Sequence, residues 1–453
     1  MPEITVQDVF ASGSSLQSSF TYSRELRQYF DEEPFYVEYD VPVSDVPEGI
    51  LSIPVLAHLC PVAWATGADV TVPVLDERFL ESITAVKSVL CEMYPTFMEG
   101  GDVVPENVVD TTPAYDEASN AGVLFTGGVD SLSTYITHRD ENPTLINVQG
   151  WVVGIDETDR WRRVQRRMDD YAARFGVDTQ QVRSNMLECL DTSMLNATFG
   201  PHLDGQWYSA VGGGLGLLGL CAPLTVAQDM GRLYIGATFW EHAPAPDVVD
   251  HWDGRAFPWG SHPDIDGNVA WGRTRAAHVG FDRNRQERIE VIADYVQRNG
   301  FDLPVRSCSH SQVGGNCNRC EKCIRTGLGI ALAGLDPNDH GFDLDRTAFD
   351  HAIEQFERGA WLITQHAPYY WQYYQQQIDP DQDLPVSGSD RFVRWLQDAD
   401  FESITGMPKR EQVVHTMLRN TPYPLYSGVR SLYRTLKTRR TATHEIGRMR
   451  RTR

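Results

Sequence analysis

Apolar and polar positions change their spacing several times along the chain, and each change marks a different element. "FYVEYDVPV", residues 35–43, alternates and predicts a strand. "DERFLESITAVKSVLCEMY", residues 76–94, repeats its apolar positions at helical spacing, with Asp76 placed to cap the helix. Residues 1–115 therefore read as an N-terminal α+β domain. The stretch 98–120 is rich in Gly, Pro and acidic residues and reads as a linker with room for one short strand.

From residue 121 the pattern alternates strand and helix. "GVLFT" (122–126), "TLINVQGW" (144–151), "QQVRSN" (180–185) and "RLYIGATF" (232–239) read as strands. Between them lie helical patterns at 130–139, at 157–176 ("ETDRWRRVQRRMDDYAARFG") and in an apolar run around 210–229. Strands separated by helices of this length imply parallel βαβ units, so residues 121–333 predict an α/β domain with a doubly wound parallel sheet. Ligands of such sheets bind at the carboxyl ends of the strands. Residues 335–453 become rich in Asp, Gln and aromatics, with helical spacing in "DRFVRWLQ" (390–397), and predict a mainly helical C-terminal region.

Composition narrows the possible partners. The 453 residues exceed one ordinary core and suggest two or three domains. The net charge of −22 arises from 62 acidic and 40 basic residues, and the lysines are Lys87, Lys322, Lys409 and Lys437 alone. Such a chain does not bind nucleic acid or anionic lipid by broad electrostatics; its composition is similar to that of salt-adapted halophilic proteins. "MPEITVQDVFASG" lacks the basic and apolar regions of a secretory signal, so the expected compartment is the cytoplasm. Ser209–Ala227 is uncharged and long enough to span a bilayer. Its glycines, Pro223 and missing interfacial anchors favour a buried helix, and no membrane partner is expected. The end, residues 429–453, is strongly basic and is expected either to fold back on the acidic surface or to contact nucleic acid, RNA included, or a membrane.

Cys60, Cys91, Cys189 and Cys221 are scattered in apolar surroundings and read as core residues. Cys308, Cys317, Cys320 and Cys323 form C-x8-C-x2-C-x2-C. Four thiolates suit a tetrahedral zinc ion, and an iron–sulfur cluster also takes four cysteines. A closed four-cysteine site leaves no position for substrate, so its expected role is structural.

"LFTGGVDSLSTY", residues 124–135, carries the remaining chemistry. A strand entering a helix through adjacent glycines presents unhindered backbone N–H groups at the helix's positive end, which is an anion site. Thr126, Gly127, Gly128, Val129, Asp130, Ser131 and Ser133 are the candidate phosphate-binding residues, with Asp130 placed to hold a metal ion. The same residues also suit an ordinary tight turn in which Asp130 caps the helix. The turn itself carries neither G-K-[ST] nor G-x-G-x-x-G.

The turn resembles the PP-loop, S-G-G-x-D-S, of the ATP pyrophosphatase superfamily, with Thr126 in the place of the first serine. Together with the cysteine spacing and "LYIGATFWEHAPAPD" (233–247), residues 121–333 are most similar to 7-cyano-7-deazaguanine synthase-like proteins. The resemblance implies ATP and Mg2+ as cofactors, AMP transfer to a substrate carboxylate or amide oxygen with release of pyrophosphate, and displacement of AMP by an amine. Asp130 and Ser131 would have catalytic roles. Glu241, His242 and Asp247, then His262, Asp264 and Asp266, lie where a small-molecule substrate should enter, and Arg325 is a candidate phosphate contact. That family's Arg-Asn pair is replaced by "VGGGLG" (211–216), which implies a different substrate. Two other classes fit the same motif: an RNA-modifying PP-loop enzyme guided by the basic tail, and a non-catalytic nucleotide sensor.

Overall fold

The computed structural model describes residues 1–31, 34–112, 120–203, 205–243, 258–308, 315–361, 367–379, 383–401, 417 and 421–428. Eleven strands form one sheet: β1 (Glu3–Ser12), β2 (Ser15–Tyr22), β3 (Phe35–Tyr39), β4 (Asp69–Asp76), β5 (Val103–Val109), β6 (Asn120–Leu124), β7 (Thr144–Gln149), β8 (Thr179–Ser184), β9 (Met230–Gly236), β10 (Ala270–Trp271) and β11 (Thr274–Val279). Their order is β10-β11-β9-β6-β7-β8-β3-β2-β1-β4-β5. From β11 to β8 every pairing is parallel, as the alternation of strands and helices requires. The complete sheet is mixed, because β8, β3, β2 and β1 pair antiparallel.

The N-terminal segment extends this sheet rather than building its own. Val37 pairs with Ser184 and Tyr39 with Val182, so β3 continues directly from β8. The division expected near residue 115 thus falls inside one sheet. One core joins Ile4, Leu16, Val37 and Val72 to Ile146, Val182 and Leu233. A second core on the other face takes the neighbouring positions Leu145 and Tyr234, with Val123 and helices from residue 285 onward. This division follows from the two-residue period of a strand.

Local signals explain the helices. Asp76 caps Glu77–Met93 by accepting the Phe79 N–H at 2.8 Å. The expected linker contains β5, which pairs parallel to β4; residues 113–119 lie outside the described residues. The apolar run Tyr208–Ala227 is long and apolar enough to cross a membrane, and 83% of its most apolar window is buried inside the protein. Its glycines allow close packing: a Cβ on Gly216 would stand 2.6 Å from the His58 ring, and one on Gly214 would stand 2.2 Å from Asp266 Oδ1. The "VGGGLG" sequence therefore answers a packing demand from the helix Ile53–Thr66 and the segment 260–266.

The C-terminal helices Arg346–Glu357, Ala367–Gln377 and Asp390–Asp398 bury Phe349, Phe356, Trp371, Phe392 and Leu396 in the second core. Further on, Tyr426 returns to the other half of the molecule and donates to the buried Asp191 carboxylate at 2.6 Å. The basic run expected at 429–453 lies outside the described residues.

Candidate functional site

The chain leaves β6 for β7 on one side and returns later to place β9 on the other, so the strand order reverses at β6. Crevices outside the carboxyl ends of strands at such a reversal are the usual ligand sites of open α/β sheets. The glycine turn, Phe125–Gly128, and the helix Val129–His138 occupy this place.

The turn is shaped by its own hydroxyls. Ser131 Oγ accepts the Thr126 N–H at 3.2 Å and donates to the Gly128 carbonyl at 3.2 Å, while Thr126 Oγ1 accepts the Gly128 N–H at 3.4 Å. Gly127 has φ +73°, and a Cβ there would stand 2.6 Å from the Tyr171 ring. Only glycine satisfies both conditions. Gly127→Ala is therefore expected to distort the turn and lower the thermal unfolding midpoint more than Gly176→Ala, which has a similar φ of +71° at a helix C-cap but whose Cβ meets nothing within 4 Å. Ser133 is buried within the helix, where its carbonyl accepts the Thr137 hydroxyl at 2.8 Å. Gly128, and not Asp130, stands at the N-cap.

Asp130 faces two arginines. Arg288 Nη1 lies 3.0 Å from its Oδ1, and Arg285 Nη1 lies 3.4 Å from its Oδ2. Both arginines follow Asn284, which closes a capping box with Glu287 at the start of Arg285–Asn299. Arg288 is 1% exposed and also donates to the carbonyls of Gly280, Ala237, Thr238 and Phe239, tying the ends of β9 and β11 to the turn. The carboxylate expected to hold magnesium is thus engaged by guanidinium groups. The sequence reading missed Arg285 and Arg288; the available signals were the Asn284/Glu287 box and the absence of lysine between Lys87 and Lys322.

The four cysteines come together beside this site. Their sulfur atoms lie within 4.8 Å of one another, so the cluster can hold a metal ion. Cys320 stands at the N-cap of Glu321–Leu332, Cys323 lies in its first turn, and Asn318, at φ +60°, bends the chain between them and Cys317. The Cys317–Cys323 separation of 3.8 Å equals the sulfur–sulfur edge of a tetrahedron with metal–sulfur bonds of about 2.3 Å. A hydrogen bond from Cys323 draws the Cys320 thiol down to about 5, which favours the thiolate that a metal requires. The donor set fits zinc.

Two hydrogen-bonded paths join this cluster to the turn. In the first, the Arg306 N–H donates to the Gly127 carbonyl at 2.7 Å, two residues before Cys308. In the second, Ser307 Oγ bonds to the Lys322 carbonyl and lies 2.7 Å from Thr326 Oγ1, which accepts Arg285 Nη2 at 3.4 Å. Asn316 holds the first path, accepting the Ser307 N–H and donating to the carbonyls of Val305 and Gly341. Burial, with Arg167 and Arg160 nearby, lowers Arg306 to about 10.

The expected substrate residues are only partly brought together. Glu241 is exposed, and its N–H bonds the Phe281 carbonyl at 2.8 Å. His262 is buried and caps the short turn Pro263–Asp266, accepting the Asp264 N–H at 3.1 Å. Asp264 remains about half exposed; Asp266 is fully buried against His278 at 2.7 Å and Ser261 at 2.6 Å. Asp247 lies outside the described residues. Arg325 is buried, paired with Glu321 at 2.8 Å and placed over the Tyr370 ring at 4.4 Å, so it braces the metal-binding helix against the C-terminal region. His242 lines a cavity of about 200 Å³ with Trp240, Gln286 and Tyr370. The chain matches no protein-family model, no curated protein and no solved structure.

Proposed function

We propose that the protein is an ATP-dependent adenylating enzyme of the PP-loop type, with a structural zinc ion at the four cysteines and a small-molecule acceptor. The observation that carries this reading is the preorganised glycine turn at the point where strand order reverses. Backbone N–H groups at the start of Val129–His138 suit phosphate oxygens, and Arg285 and Arg288 place positive charge at the same opening.

In the proposed reaction the acceptor oxygen attacks the α-phosphorus of ATP. The bond to the bridging α–β oxygen breaks, and pyrophosphate leaves with its electron pair. An amine then displaces AMP. The protein's share is positioning and charge neutralisation. Ser131 and Thr126 hold the turn in shape, and Asp130 orients the two arginines. Magnesium would arrive bound to the nucleotide, since both Asp130 oxygens already face arginines.

The test is pyrophosphate release by the purified protein with ATP and magnesium in high salt, across pools of carboxylate and amide metabolites and bulk RNA. Asp130→Asn, which keeps the side-chain shape, serves as the comparison. Release is expected with one metabolite pool and about a hundredfold less in the variant. Release with RNA alone would select the RNA-modifying class, and ATP binding without release in any pool would make the protein a nucleotide sensor.

A further inference from the structure

The C-terminal region closes a cavity of about 200 Å³, room for one ring with its substituents. Trp240 and His242 enter it from the segment after β9, Asn284 and Gln286 from the start of Arg285–Asn299, and Tyr370 and Tyr374 from the helix Ala367–Gln377. On the same helix Tyr369 and Tyr373 alternate with Gln372 and Gln376 at spacings of three and four residues, so rings and amides line one wall together. That wall lies outside residues 121–333, which carry the resemblance. The chain has 62 acidic and 40 basic residues, yet among the described residues no carboxylate, ammonium or guanidinium group lines this cavity.

Two of its lining side chains are buried and incompletely paired. Gln286 is 4% exposed and Tyr374 1%. Gln286 Nε2 donates to the Gly329 carbonyl at 3.0 Å, which identifies the other end of the amide as the oxygen. That oxygen and the Tyr374 hydroxyl have no hydrogen-bond partner among the described residues. They converge beside Gly329, 2.7 and 2.6 Å from the place a Cβ would take there. Folded proteins seldom leave buried polar atoms unpaired, so the two call for a group that both donates and accepts. A water molecule would serve these atoms alone; the rings and amides around them suit an organic ligand.

The ring geometry decides which kind. A flat base gripped between two aromatic side chains needs them parallel and about 7 Å apart, twice a normal carbon contact. Trp240 and Tyr370 stand 5.4 Å apart and tilted by 44°, and Tyr373 and Tyr374 stand 6.4 Å apart at 65°. Neither pair makes such a slot, and Arg325 already lies over the Tyr370 ring at 4.4 Å. A sugar needs only one ring: its C–H face packs on a single aromatic side chain, and its rim hydroxyls each donate and accept, as amides and phenols do. We propose that this cavity binds one uncharged sugar ring, with the C–H face on Trp240 and hydroxyls on Gln286, Tyr374 and the amides beside them. Binding there needs no nucleotide at the glycine turn. Arg285, between Asn284 and Gln286, faces Asp130 at the turn, so the bound ring is part of the acceptor; that last assignment alone rests on the adenylation reading.

The experiment titrates the full-length protein, without nucleotide, with glucose, galactose, mannose and N-acetylglucosamine by saturation-transfer NMR, beside glucuronate, adenine and cytosine. At least one neutral sugar is expected to bind saturably. Trp240→Ala should weaken it at least tenfold, and Tyr374→Phe at least threefold. Phe10→Ala, an exposed aromatic on β1, is the control and should change nothing. Tyr374→Phe removes only a hydroxyl that holds no other group, so its thermal unfolding midpoint should match wild type, which separates lost binding from lost folding.

Saturable binding of adenine or cytosine but of no sugar would overturn the inference in favour of a flat ring. Tighter binding of glucuronate than of glucose would overturn the uncharged assignment. No binding of any probe, or sugar binding that folded Trp240→Ala and Tyr374→Phe retain in full, would leave the cavity to water and the adenylation reading untouched. Sugar binding that the variants lose, in a protein that releases no pyrophosphate with any pool, would keep the sugar site and remove the adenylation reading alone.

Discussion

Arg288→Ala is expected to destabilise the protein by about 3–5 kcal/mol, the usual cost of breaking a buried charge pair by removing one partner. The size follows from what Arg288 holds. It is 1% exposed, pairs with Asp130 and donates to four backbone carbonyls at the ends of β9 and β11. Alanine leaves those acceptors without their donor and removes one of the two cations facing Asp130. Urea unfolding measures the loss. Arg288→Lys should recover only part of it, because one ammonium cannot reach acceptors spread around a planar fork. Arg298→Ala, from an exposed pair at the far end of the same helix, should fall within about 0.5 kcal/mol of wild type. A similarly small effect at Arg288 would mean that the three loops it joins hold together without it.

Removing the metal is the second large perturbation. Purified protein should contain one zinc per chain, and Cys320→Ser should contain almost none. Structural zinc stabilises small folded units by about 10 kcal/mol or more, although here much of the surrounding core would remain. The more informative effect is on the nucleotide affinity that the proposed function requires. The Arg306 N–H holds Gly127, and Ser307 and Thr326 lead to Arg285, so loosening the cluster loosens the turn from two sides. ATP binding should weaken about tenfold in Cys320→Ser, the lower range for loss of outer-shell support at a metal site. Full affinity in a folded, metal-free variant would show that the two paths carry no strain to the turn. Iron with inorganic sulfide in the purified protein would replace zinc by a cluster.

Much of the parallel part of the sheet was legible. Its strands are short and apolar, its helices begin and end at polar or glycine positions, and the glycine turn falls between one strand and one helix. The Asp76 cap was readable because capping depends on residues three apart. The cysteine cluster was readable because two of its gaps are only two residues long. The union of the N-terminal strands with β8 was not, since nothing local in "FYVEYDVPV" names "QQVRSN" as its partner. Arg285 and Arg288 were missed for a related reason. On a charged helix such residues resemble a solvated face, and only the fold reveals that Asp130 waits opposite them. The "VGGGLG" run read as a departure from a family pattern, whereas Gly214 and Gly216 answer collisions with Asp266 and His58, far away in sequence.

The pairing of β3 with β8 also sets a timetable for synthesis. Val37 leaves the ribosome long before its partner Ser184 exists, and β1 to β3 can already have zipped into a meander by then. Throughout that interval the outer edge of β3 carries open N–H and carbonyl groups, the kind of edge on which other chains readily add. Distant pairing of this kind slows folding as well, since a long loop must close before any bond rewards it. The nascent chain thus has to survive with half a sheet exposed, and its yield in a foreign host should depend on how well that host's chaperones shield the edge until residues 179–184 arrive.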